Sequence, residues 1–81
     1  MDGYIMANRE TAVLIVSASE SGLSADELVE RSNLTHSDLH LFFESQVIIN
    51  TLKLLSSDPD NIKYKQLLAF KQTVKANHER T

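Results

Sequence analysis

The stretch SADELVERSNLTHSDLHLFFESQVIINTLKLL, Ser24 to Leu55, decides the fold. Ser24 and Glu27 stand three apart ahead of an apolar run, which is the signature of a capping box. In it, serine and glutamate together satisfy amides that the first helical turn leaves unpaired. A helix therefore starts at Ala25 and runs to about Ser32, burying Leu28 and Val29. Asn33-Leu34-Thr35 breaks it, with Asn33 suited to a positive φ and Leu34 turned inward. Thr35 then caps a further helix, and Asp38 in its first turn complements the positive end of the helix dipole.

From Leu39 onward the apolar residues Leu39, Leu41, Phe42, Phe43, Val47, Ile48, Ile49, Leu52, Leu54 and Leu55 cover more than one helical face. Two readings follow: one helix from His36 to Leu55, or two helices parted near Glu44-Ser45. Either way the apolar surface exceeds what one intramolecular contact needs, which implies a second partner.

Outward from this centre, a helix from about Asn8 to Ser21 offers Ala12, Val13, Ile15 and Val16 as its apolar face. Gly22 follows it as a natural stop, since glycine takes the left-handed conformation that ends helices. On the other side, Ser56-Ser57-Asp58-Pro59-Asp60 reads as a boundary, with Asp58 as N-cap and Pro59 in the first helical position. The last helix runs from Pro59 to about Ala76, with Ile62, Leu67, Phe70 or Lys71, and Val74 at helical spacing. Residues 1–7 and 77–81 are expected to fray. The fold class is all-α, a single domain over 1–81 with four to five helices and a helix-turn-helix-like centre.

Composition agrees. Two glycines, one proline and 42% apolar residues suit a helical core rather than a β-rich or disordered chain. At 81 residues without cysteine, no disulfide compensates for a small core, so association into a homodimer is the expected support. The absence of cysteine fits a cytoplasmic setting. The start, MDGYIMANRE, has neither the basic nor the apolar region of a signal peptide, and no apolar run is long enough to span a membrane.

The charge is uneven. Residues 1–57 hold eight acids against three bases, whereas 58–81 hold three acids against Lys63, Lys65, Lys71, Lys75 and Arg80. An acidic body with a basic end opposes nucleic acid over most of its surface.

Within the central stretch, LVERSNLTHSDLHLFFES resembles the DNA-binding segment of TetR-type repressors. That segment pairs a helix ending A-E-x-A-G with V-S-x-G-T-L-Y-x-Y-F and then x-S-K. The aligned residues are Val29, Glu30, Asn33, Leu34, Thr35, Ser37, Asp38, Leu39, His40, Phe42, Phe43, Ser45 and Gln46. The resemblance implies a helix-turn-helix fold with the helix after Thr35 in the DNA groove. The chain departs from the pattern at functional positions: His36 stands where a basic residue often follows the turn, Ser37 replaces the glycine that brings backbone near phosphate, His40 the tyrosine that reaches phosphate, and Gln46 the lysine that caps the next helix.

On this reading Thr35, His36, Ser37 and His40 are the candidate DNA contacts of the central helix, with Lys71 and Lys75, four apart on the last helix, supplying phosphate contacts. The central helix itself carries no lysine or arginine, and phosphate neutralisation by such residues supplies most DNA affinity. The preferred expectation is therefore a small regulator of gene expression acting by protein contact, binding a larger regulator or its own kind. Its expected interface is Phe42, Val47, Ile48, Leu52, Leu55, Leu67 and Phe70. His36 and His40 share a helical face, as a metal pair would, but further ligands are not evident and surface histidines are the simpler reading. The serines lack any nucleophile context and no glycine-rich phosphate loop is present, so neither catalysis nor a cofactor is expected.

Overall fold

The computed structural model describes residues 9–80, with side chains described through His78. The expected frayed segment 1–7 lies outside these residues. Five helices follow in order: α1 (Arg9–Glu20), α2 (Ala25–Arg31), α3 (His36–Glu44), α4 (Gln46–Leu55) and α5 (Ile62–Arg80). The class is all-α, with no strand among the described residues. No helix there is long and apolar enough to cross a membrane.

The helix starts are set by local chemistry. Ser24 Oγ accepts from the Glu27 amide at 3.3 Å while the Ser24 amide donates to Glu27 Oε1 at 2.9 Å, closing the capping box. Thr35 and Asp38 form a second box of the same kind, at 3.1 and 2.9 Å. Gly22, at φ 76°, ends α1 in the left-handed conformation.

The turn between α2 and α3 is built differently from the sequence expectation. No non-glycine residue among those described has positive φ, so Asn33 does not turn the chain that way. Ser32 does the work instead. Its hydroxyl donates to the Leu28 carbonyl at 2.7 Å and accepts from the Leu34 amide at 3.2 Å.

Between α3 and α4 the chain breaks at a single residue. Ser45 is extended (φ −69°, ψ 143°) and serves as the C-cap of one helix and the N-cap of the next. Its hydroxyl turns back to the Phe42 carbonyl at 2.7 Å, which is why α4 starts without a side-chain cap. Of the two sequence readings, the parted one is the structure.

Two boundaries move. Asp58 and Pro59 lie in the turn before α5 rather than in its first turn. Asn61 is the residue that caps it, its Oδ1 accepting from the amides of Lys63 and Tyr64 at 2.9 and 3.3 Å. At the other end α5 does not stop at Ala76 but continues through Asn77 to Arg80.

The core comprises Ile15, Ala18, Ala25, Leu28, Leu39, Phe42, Phe43, Leu52, Phe70 and Val74. α5 is its spine, packing against α1, α2 and α3, while α4 leans mainly on α3. On α1 the buried face is Thr11, Ile15, Ala18 and Ser19, so Val13 and Val16 are exposed rather than inward. Small residues on that face let helices approach closely, and the Ser19 hydroxyl is satisfied by the Val16 carbonyl at 2.7 Å. The first amide of α2, on Ala25, is completed from a distance: it donates to Thr73 Oγ1 of α5 at 3.0 Å.

Candidate functional site

Two surfaces hold the residues singled out from the sequence: the junction of α3 with α5, and the outer side of α4.

At the junction, most of the candidate DNA contacts are already engaged within the chain. The Thr35 hydroxyl is committed to its cap. His36 Nε2 lies 3.1 Å from Asp26 Oδ1, and the same oxygen accepts from Asn77 Nδ2 at 2.9 Å. This contact requires the His36 proton on Nε2, and Nδ1 is buried without a hydrogen-bond partner. His40 stacks on His78, the ring centroids 3.8 Å apart and the planes within 7° of parallel. Its Nε2 is also 3.8 Å from Glu44 Oε1. Ser37 is exposed.

The helical repeat then fixes what α3 presents outward. Leu39, Phe42 and Phe43 are buried, and His36 and His40 flank them on the α5 side. The outward face is Ser37 and Leu41, four apart, with Glu44 at its edge beside His40, where it borders the α5 side. All three are exposed. That face has a hydroxyl, an apolar side chain and a carboxylate, but no base.

The basic residues of α5 divide. Lys63 pairs with Glu20 at 3.9 Å and Lys65 with Asp60 at 4.0 Å. Lys71 and Lys75 instead line a cleft of about 310 Å³ with His40, Phe43, Glu44, Val74 and His78. The structure thus brings together His40, Lys71 and Lys75 from the sequence-predicted set. It adds His78, which the sequence reading left in a frayed tail. The signal that would have found it is the spacing of Lys71, Lys75 and His78 by four and three on one helix face.

The expected interface is split as well. Phe42, Leu52 and Phe70 are 2%, 8% and 2% exposed, so they belong to the chain's own core and offer nothing to a partner. Phe42 packs edge-on to Phe43, which in turn meets Phe70, an aromatic cluster that joins α3 to α5. Ile48 and Leu67 are half-buried against the core, and Leu55 is half-buried. Only Val47 of that set is well exposed, at 64%, and Leu54, two turns on along the same side of α4, is 76% exposed.

No group of three or more metal-ligating side chains occurs among the described residues. No family model, curated protein or solved structure matches the chain.

Proposed function

We propose that this domain is a small regulator of gene expression that acts mainly through protein contact, as a cytoplasmic homodimer or bound to a larger regulator. The observation that carries the reading is the apolar outer side of α4, where Val47 and Leu54 stand open to solvent. In a domain this small, large aliphatic side chains left in water at the same face forgo burial worth roughly 1.5–3 kcal/mol each, and a partner recovers it. The base-free outward face of α3 supports the same reading, because a DNA-reading helix needs cations near phosphate. The helix-turn-helix-like order of α2 and α3 then serves as a scaffold.

The test is Val47→Asp with Leu54→Asp, followed by light scattering and far-UV circular dichroism. The variant should keep its helical signal and lose self-association, or lose capture by its partner. A wild-type chain that is monomeric and whose only binding is to DNA removes the reading.

A second reading, a DNA-binding repressor using helix 36–44 and the basic C-terminal helix, has one observation in its favour. His40 of α3 shares a cleft with Lys71 and Lys75 of α5. Salt-sensitive binding of a random-sequence duplex would select it, and silence of Lys71→Glu and Lys75→Glu would reject it.

A further inference from the structure

We propose that the cleft between α3 and α5 binds a small phosphomonoester, with its phosphate on Lys71, Lys75 and the paired histidines and its apolar body on Phe43 and Val74. The proposal is independent of the partner-contact reading, which concerns α4.

Three features converge there. First, Lys71, Lys75 and His78 repeat at four and three residues, so α5 aims three nitrogen-bearing side chains at one place. Second, α3 contributes His40, held parallel to His78 at 3.8 Å, so the two rings form one plane-on-plane wall rather than independent surface side chains. Third, the cleft has an apolar floor, since both Phe43 and Val74 are buried core residues. Its volume, about 310 Å³, falls at the small end of ligand pockets, which start near 300 Å³.

Charge selects the ligand class. Among the described residues two lysines face one carboxylate, Glu44, which lies beside His40 on α3 and directs an anion towards α5. Neither lysine is engaged in an ion pair among the described residues. A phosphomonoester carries about −1.5 to −2 charges near pH 7 and three strong acceptor oxygens, which matches this cluster of donors. A long polyanion is disfavoured by the same residues' surroundings. The chain has a net charge of −3, and Glu44 lines the cleft that a duplex would have to enter. A small dianion confined to the cleft feels mainly the charges within a screening length of about 8 Å.

The experiment is a two-dimensional amide NMR titration of the full chain with phenyl phosphate, compared with phenol, inorganic phosphate and a random-sequence duplex. Saturable shifts clustered at Phe43, Lys71, Lys75 and His78 are expected. Phenol and inorganic phosphate should each bind about tenfold more weakly, as should phenyl phosphate to the folded double variant Lys71→Gln/Lys75→Gln. Lys53→Gln should bind like the wild type. Shifts that do not saturate overturn the proposal, whatever the variants do. Inorganic phosphate binding as tightly overturns the phosphomonoester class. A duplex that occupies the same residues more tightly assigns the cleft to nucleic acid instead.

Discussion

Asn77, in the last turns of α5, donates to the carboxylate oxygen of Asp26 at the start of α2, the same oxygen that His36 approaches from α3. One acidic side chain therefore ties three helices. Because its contacts are solvent-exposed, the tie is a matter of position more than of large energy. A double-mutant cycle with Asp26→Ala and Asn77→Ala should give a coupling energy of about 0.5–1 kcal/mol in urea unfolding. Strict additivity would show that the contact is not populated in solution.

Leu39 and Ile15 are the two large side chains fully sealed in the core. Leu39→Ala should cost about 2–5 kcal/mol, enough to unfold much of a domain this small at 37 °C. Leu54→Ala, at a side chain mostly in water, should leave monomer stability within about 0.5 kcal/mol. Thermal melts at low protein concentration separate the two; equal losses would mean that Leu54 is covered.

Gly22 has open space where a Cβ would stand, so a substitution there is opposed by backbone conformation alone. Gly22→Ala should destabilise by about 1–2 kcal/mol and Gly22→Asn by less, read from chemical denaturation. A bulky residue tolerated as well as asparagine would contradict the left-handed stop.

Gln46 opens α4, a position where the missing amide hydrogen of proline is not needed, and it follows Ser45, already in the extended region that a following proline enforces. Gln46→Pro should therefore be neutral or stabilise by up to about 1 kcal/mol. In one helix from His36 to Leu55 the same change would cost about 3 kcal/mol, so the sign of the shift in melting temperature decides between them.

Features written in neighbouring residues were legible in the sequence. Ser24 with Glu27, Thr35 with Asp38, and Gly22 each act within four residues, and all three hold in the structure. Where two local signals competed, the reading failed: Asp58-Pro59 has the form of a helix start, but the Asn61 carboxamide two residues on captures the amides. Val13 and Val16 were misplaced because VLIV is apolar around the whole helix, and only packing against α5 selects the face. Phe42, Leu52 and Phe70 were assigned to an interface for the same reason. At the candidate cleft, the spacing of Lys71 and Lys75 was readable, whereas the stacking of His40 on His78 is a contact between distant segments that no local pattern encodes.

The bond from the Ala25 amide to Thr73 has a consequence for how the chain comes to order. Synthesis delivers α2 and α3 well before α5, and domains fold as units once their parts have emerged. Until residue 73 arrives, α2 lacks a partner for its leading amide, and Leu39 lacks the helix that closes over it. The contact that completes the start of α2 thus spans 48 residues of sequence, so the segment whose sequence is easiest to read is not closed by its own residues.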